Sequence, residues 1–180
     1  MKVPLIAALS TALAGPALAQ VPVADMPFYL VPSLAARIET MPDRPRAKEP
    51  RLTDALQLAR ATVEACRVGG GEVSVLITDS AGVPVVILSG DGAGERGQLV
   101  TFTKAATVVK YKMASGDVFR KVKTDPKLAA EVRADPDIGA VRPGGFPLMS
   151  GGEMIGALAV VFTGTDPDCA QKAMAKVPIR

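Results

Sequence analysis

Residues 72–89, EVSVLITDSAGVPVVILS, are two runs rich in β-branched residues that flank the turn-forming tetrapeptide Asp79-Ser80-Ala81-Gly82. This pattern predicts a β-hairpin. Residues 144–162, GGFPLMSGGEMIGALAVVF, predict a second hairpin that turns at Gly151-Gly152. Because the two arms of a hairpin are antiparallel, these segments restrict the chain to folds built on an antiparallel sheet.

The first hairpin also bears on a glycine-rich stretch, GDGAGERG at residues 90–97, which contains the G-x-G-x-x-G pattern of dinucleotide-binding loops. A dinucleotide site needs a strand, the glycine turn, a helix and a parallel return strand. Here the strand before the glycines is the second arm of a hairpin, so the sequence argues against NAD. Main-chain N–H groups at the start of the following helix can still bind an anion.

Helices are predicted around the two hairpins, because apolar residues recur there every three or four positions. The first helix has Thr53 as its expected N-cap and an apolar stripe that we expect to be buried: Leu52, Leu56, Ala59, Val63 and Cys66. The second long helix has a similar stripe: Leu99, Phe102, Ala106, Val109 and Met113. Shorter helices are expected at residues 117–122 and 126–136, and a last helix from Asp166-Pro167 to Lys176.

The N-terminal residues 1–19 have the three parts of a secretory signal peptide. Lys2 precedes an apolar stretch at residues 3–13, and Ala17-Leu18-Ala19 forms a cleavage site before Gln20. We therefore expect a periplasmic or secreted mature protein with no membrane contact after cleavage. An uncleaved anchor is the alternative, but the apolar stretch is short for a bilayer.

The remaining chain divides by composition into an arm and a domain. Residues 20–50 are rich in proline and charge, which predicts an extended N-terminal arm, with a short helix conceivable at residues 33–39. Residues 51–180 carry the periodic segments and form a single domain on the usual size range.

Composition excludes several classes of function. The 21 Lys and Arg residues exceed the 18 Asp and Glu residues by only three, so bulk charge does not indicate a nucleic-acid partner. The chain has no histidine. Ser-His-Asp hydrolysis, Cys-His proteolysis and histidine-ligated zinc are therefore excluded.

Two cysteines, Cys66 and Cys169, are present in the whole chain. An exported protein with two cysteines usually pairs them, so we expect a disulfide that ties the first helix to the last. The alternative is a pair of buried thiols that pack as small apolar groups.

A series of short motifs gives the chain a resemblance to a known family. In order they are LTDALQLA from residue 52, VSVLITDSAGVPV from 73, DGA at 91–93, KAAT at 104–107, RPGGFPL at 142–148, GGEMIGALAV from 151 and DPDCA at 166–170. From about residue 52 to residue 177 the chain resembles the GlcG/HbpS-like family, also found as the C-terminal domain of PduO-type proteins.

The resemblance implies a single α+β domain, in which helices pack on an antiparallel sheet of about five strands, and it implies a homo-oligomer. Some family members bind haem, generally with histidine, which this chain lacks. The chain also has the bulkier Val160-Val161-Phe162 where the family usually ends this strand with V-S-G.

The resemblance and the local chemistry together suggest a site for an anionic ligand, between the glycine loop, a ridge on the second long helix and the Gly-Gly loop after Pro143. The candidate ligand-binding residues are Gly94, Arg96, Lys104, Thr107, Tyr111, Gly144, Gly145 and Pro147. Tyr111 is a metal ligand only if haem is bound, as a tyrosinate. The alternative is that the lysines of this helix form a solvated basic face.

Three classes of function remain open. The first is an exported protein that binds a small ligand, haem first and an acidic organic metabolite second. The second is a cofactor-free enzyme of the proton-transfer, isomerase or lyase type, which acts on a small carboxylate-bearing metabolite through Tyr111 or Lys104 and needs a shifted pKa there. The third is a structural oligomeric accessory protein whose arm wraps a neighbour.

Overall fold

A computed structural model of the chain describes residues 45–68 and 70–179. Along the chain these residues form helix α1 (Leu52–Cys66), strands β1 (Val73–Asp79) and β2 (Pro84–Ser89), helices α2 (Glu95–Tyr111), α3 (Ser115–Val122) and α4 (Pro126–Ala134), strands β3 (Gly145–Ser150) and β4 (Glu153–Phe162), and helix α5 (Cys169–Lys176). The expected signal peptide, most of the arm and the helix at residues 33–39 lie outside the described residues.

The strands form one antiparallel sheet in the order β2-β1-β4-β3. Both predicted hairpins are confirmed, and β2 runs antiparallel to β1 immediately before the glycine loop. The α+β class is therefore confirmed as well. The described residues contain four strands, where the resemblance implied about five.

Helices cover both faces of the sheet. Successive side chains of a strand point to opposite faces, so Val75 and Leu158 pack with α1 and α5, whereas Leu76 and Ala159 pack against α2. Every residue of β1 is buried as a result. Within the described part of the chain no helix is long and apolar enough to cross a membrane.

Helix α1 is rotated from the orientation that its apolar stripe predicted. Leu52 and Leu56 are 57% and 39% exposed. Ala59 and Cys66 of the stripe are buried as predicted, and the rest of the buried face consists of Ala55, Leu58 and Thr62. Small residues on this face let the helix contact the sheet and α5 together. Thr53 is not the N-cap, because the amide of Ala55 already donates to the carbonyl of Arg51 at 2.9 Å.

Helix α2 also buries a different set of residues from its predicted apolar stripe. Phe102 of that stripe is 40% exposed. The residues buried against the sheet are largely polar: Thr101, Lys104, Ala105, Thr107 and Val108. The threonine hydroxyls need no partner in the sheet, because Thr107 donates to the carbonyl of Thr103 at 2.7 Å. The facing residues Ala157 and Ala159 are small, so α2 packs closely and carries Lys104 into the interior.

The predicted disulfide joins Cys66 at the end of α1 to Cys169 at the start of α5, with a Cα–Cα distance of 5.0 Å. Helix α5 begins two residues later than the expected first position at Pro167. Asp166 still organises this start, because its carboxylate accepts from the amide of Asp168 at 3.0 Å and from the Lys172 ammonium at 2.6 Å.

The last residues of the predicted arm contact the first hairpin. The amide of Ala47 donates to the Asp79 carboxylate at 3.0 Å, and the amide of Ser80 donates to the carbonyl of Lys48 at 2.9 Å. Asp79 also accepts from the amides of Ala81 and Val83, which closes the β1–β2 turn. A buried carboxylate thus fixes both the turn and the chain that enters the domain.

Candidate functional site

Lys104 is the most unusual side chain of the site region, because it is only 8% exposed. Its Nζ donates to the main-chain carbonyl of Val160 in β4 at 2.6 Å. Burial, together with the positive charge of Arg142, lowers the pKa of Lys104 to about 8. The surroundings therefore disfavour the charged form of this amine.

The Gly144-Gly145 loop lies directly against Lys104. A Cβ atom at position 144 would lie 2.9 Å from Lys104 Nζ, and one at position 145 would lie 2.8 Å from the main-chain oxygen of Lys104. The φ angle of Gly144, +108°, also favours glycine. The loop is held in place where the amide of Gly145 donates to Ser115 Oγ at 2.8 Å.

Arg142 is a site residue that the sequence reasoning missed. It immediately precedes the Pro-Gly-Gly motif, and its guanidinium donates to the carbonyl of Ala140 at 3.2 Å. Among the described residues, neither Arg142 nor Lys104 forms an ion pair with a carboxylate. Two neighbouring cations that lack a counter-charge form a local centre of positive potential.

Tyr111 is directed towards α4. Its hydroxyl donates to Glu131 at 3.1 Å, and Lys110 forms ion pairs with both Glu131 and Asp135. Burial and the contact with the Glu131 carboxylate raise the pKa of Tyr111. The phenol is therefore held neutral, which opposes tyrosinate ligation of iron.

The other candidates lie at different places along α2 and β3. Gly94 is the N-cap of α2, and Arg96 is exposed in its first turn. Ten residues of helix separate Gly94 from Lys104, about 15 Å along the axis. Thr107 is fully buried, and Pro147 pairs with Ala157 across the sheet.

The structure thus brings together three of the eight candidates, Lys104, Gly144 and Gly145. The start of α2 and the Tyr111 hydroxyl belong to separate environments.

Few side chains that commonly ligate iron are available near this site. Both cysteines are held in the disulfide. Within the described residues no group of three or more carboxylate or cysteine side chains could hold a metal ion. Lys104 and Arg142 fit the carboxylates of a ligand rather than its metal.

A cavity of approximately 260 Å3 lies on another face of α2, lined by residues that include Phe102, Val109 and Ile138. Lys104 is not part of its lining. The cation there, Lys110, is already compensated by Glu131 and Asp135. This cavity therefore lacks the uncompensated positive charge of the Lys104 site.

The architecture defines an α+β domain with helices on both faces of a four-stranded antiparallel sheet. The family model described as "Haem degrading protein HbpS-like" matches residues 51–175, so the chain belongs to the HbpS-like family. The resemblance seen in the sequence is thereby confirmed.

Solved structures share this fold. HbpS is 25% identical, with a TM-score of 0.60, over 75% of this chain and 94% of HbpS. A PduOC:heme complex is 27% identical, with a TM-score of 0.60, over 71% of this chain and 94% of that chain. The Klebsiella pneumoniae protein ORFY, 19% identical with a TM-score of 0.59 over 74% and 91%, shows the fold alone. No curated protein sequence gives a significant match.

Proposed function

We propose that the protein binds a small anionic ligand, haem or an acidic organic metabolite, at Lys104 and Arg142. One observation carries this proposal: the amine of Lys104 is buried beside a second cation without a carboxylate partner in the described chain. Burial of an unpaired charge is unfavourable, and a ligand carboxylate would remove that penalty.

Haem is a candidate because a neighbour of this fold is a PduOC:heme complex. In this chain the haem propionates would contact Lys104 and Arg142. Tyr111 is the residue expected to ligate the iron, and its raised pKa disfavours that role. An acidic organic metabolite needs only the two cations, so the chemistry of the site favours a carboxylate ligand over an iron-ligated one.

We propose that the protein is exported and works in the periplasm or outside the cell. The signal-peptide pattern of residues 1–19 supports export. The Cys66–Cys169 disulfide supports it independently, because disulfides persist mainly in oxidising compartments. N-terminal sequencing of the mature protein would support export if Gln20 is the first residue, and intact Met1 in a cytosolic fraction would contradict it.

We also propose that the protein self-associates. The exposed Leu52 and Leu56 on α1 provide apolar surface for such a contact. Sedimentation measurements on the full mature chain test this, and a monomer at every concentration would contradict it.

A second candidate function is the cofactor-free enzyme. The lowered pKa of Lys104 favours it, because an amine with a pKa of about 8 can exchange a proton near neutral pH. The raised pKa of Tyr111 makes that residue the poorer base at neutral pH. Turnover of a small carboxylic acid without added metal would support this candidate.

The binding proposal is tested by titrating the wild-type protein with haemin and, separately, with lactate. Lys104→Met should weaken binding roughly ten- to a hundredfold, since one charge-assisted hydrogen bond is lost. Lys127→Met is a matched control, because Lys127 is an exposed lysine of α4. Equal affinities for all three proteins would contradict the proposed site.

A further inference from the structure

The cavity of approximately 260 Å3 beside α2 has an apolar end and a charged end. Its lining runs along α2 from Phe102 to Lys110, about 12 Å at 1.5 Å per residue. Leu76 of β1 and Ala105 of α2 are buried and form its floor. A mostly apolar lining with charge at one place is typical of sites for small molecules.

The charged end carries an excess of carboxylates. Lys110 and Asp135 form an ion pair at 2.8 Å, and Glu131 contacts the same lysine at 3.1 Å. The amide of Asp137 donates to the Asp135 carboxylate at 2.9 Å, so Asp137 lies beside this pair. One lysine and three carboxylates make this end of the cavity negative, although the whole chain has a net charge of +3.

Asp137 is the carboxylate that remains available to a ligand. It lines the cavity, and among the described residues its side chain forms no ion pair. A cationic group at this end of the cavity would therefore meet a carboxylate that no lysine or arginine of the described chain already neutralises.

Phe102 defines the apolar end. Its side chain is 40% exposed, and none of the apolar clusters that form the core of the described residues includes it. The neighbouring lining residues Ala105 and Ala106 are small, which leaves space beside the phenyl ring. An aromatic ring of a ligand can pack there against Phe102.

We propose that this cavity binds a small aromatic amine, with its ring beside Phe102 and its ammonium group at Asp135 and Asp137. A cavity of about 150 Å3 with an apolar lining can hold benzene, so this larger one has room for a ring and a short aminoalkyl chain. The inference goes beyond the proposed function, because it concerns another face of α2 and a ligand of opposite charge.

The test compares three compounds of similar size that differ in charge: 2-phenylethylamine, 2-phenylethanol and 3-phenylpropanoate. Each is titrated into the full mature protein and followed by amide NMR. We expect the amine to shift the signals of Ala106, Val109 and Ile138, and to bind roughly two- to tenfold more tightly than the alcohol, since exposed carboxylates add a modest attraction. The acid should bind most weakly at these residues.

Equal affinities of the amine and the alcohol would overturn the proposal, because the acidic end would then contribute nothing. Tighter binding of the acid at the same residues would overturn it as well. So would a lack of shifts at these residues with all three compounds.

Variants separate the two ends of the cavity. Phe102→Ala should weaken the amine and the alcohol alike, by roughly threefold or more, because both lose the aromatic contact. Asp137→Asn should weaken the amine by roughly two- to fivefold and leave the alcohol unchanged. Glu95→Gln is the matched control, because Glu95 is an exposed carboxylate at the opposite end of α2.

Both test substitutions change side chains that are substantially exposed, so the variants should fold as the wild type does. An amine affinity that neither Phe102→Ala nor Asp137→Asn changes would contradict the proposed site. An equal loss of amine affinity in Asp137→Asn and Glu95→Gln would contradict the role of the Asp137 carboxylate.

Discussion

The Nζ of Lys104 in α2 donates to the main-chain carbonyl of Val160 in β4 at 2.6 Å. The same residue of β4 donates its amide to the carbonyl of Gly144 at 2.8 Å. Val160 therefore links the buried amine to the Gly144-Gly145 loop. The two hydrogen bonds of Val160 thus connect helix α2, strand β4 and the loop.

Lys104→Met should stabilise the ligand-free protein by about 1–3 kcal/mol at pH 7, because it removes a charged amine from the protein interior. Loss of the hydrogen bond to Val160 should cancel only part of this gain. The folded pKa of Lys104, about 8, lies below its unfolded value of 10.5. The unfolded chain therefore holds the proton more tightly, and the penalty is complete below pH 8. The gain over wild type should shrink as pH rises from about 8 towards 10.5.

Urea unfolding of both proteins at several pH values measures this difference. Lys127→Met should leave stability nearly unchanged. A large loss of stability in Lys104→Met at pH 7 would show that the amine contributes structurally as a charged group.

Gly145→Ala should lower the free energy of unfolding by about 1–3 kcal/mol, because overpacking a close contact forces the backbone to move. The new Cβ would lie 2.8 Å from the oxygen of Lys104 and 2.9 Å from a Val108 methyl group. Gly116→Ala in α3 is the control, since a Cβ there would meet only ordinary contacts, the nearest at 3.8 Å. Thermal unfolding compares the two, and equal stability would contradict the close packing of loop and helix.

The antiparallel sheet could be predicted from the sequence because each hairpin is defined by residues that are neighbours in the chain. The Asp79–Gly82 and Gly151-Gly152 turns lie between β-rich runs, and both hairpins formed as expected. The cysteine pair was also predicted correctly. The hairpins depend on residues that are neighbours in the chain, and the disulfide has only one possible pairing because the chain has two cysteines.

Which face of α2 is buried could not be predicted from the sequence in the same way. The predicted apolar stripe is only partly buried, with Val109 packed at the edge of the core and Phe102 exposed. Spacing cannot reveal that the facing strand offers small residues such as Ala157, against which the neighbouring face of α2 packs. Lys104 was chosen as a site residue, but the predicted apolar stripe did not include it and gave no sign of its burial. Arg142 was missed because its relation to Lys104 exists only when the loop folds onto α2.

Removal of the disulfide should lower stability by about 2–5 kcal/mol, since the bond constrains the unfolded chain. Cys66 and Cys169 are 103 residues apart in sequence, so the constrained loop is long. Denaturant unfolding of the Cys66→Ala/Cys169→Ala variant measures the loss. Thiol counting on denatured, unreduced protein should give none, and two thiols per chain would show that the bond does not form.

The ion pairs of Lys110 should weaken in acid. Burial raises the pKa of Asp135, but hydrogen bonds from Lys110 and from the amide of Asp137 outweigh it, so the folded pKa is lowered. The ionised Asp135 therefore stabilises the folded protein at pH values above 3.8, the pKa of the carboxyl in the unfolded chain. This stabilisation is lost as the pH falls through the lower pKa of Asp135 in the folded protein.

Asp135→Asn should therefore lose about 1 kcal/mol or less at pH 7, because the pair is partly exposed. The difference from wild type should close towards pH 3. Asp137→Asn, an exposed neighbour, serves as the control in thermal unfolding from pH 7 downwards. A difference that stays constant with pH would contradict the ionic origin of the effect.

The most direct test of the Lys104 site is an NMR titration of its side chain, with the Nζ signal assigned by comparison with Lys104→Met. In the free protein the pKa should be about 8, because of burial and Arg142. Saturation with lactate should raise it, since a bound carboxylate favours the charged amine. A pKa near the ordinary 10.5 in the free protein, unmoved by lactate, would contradict the account of Lys104 as a buried cation that binds an anion.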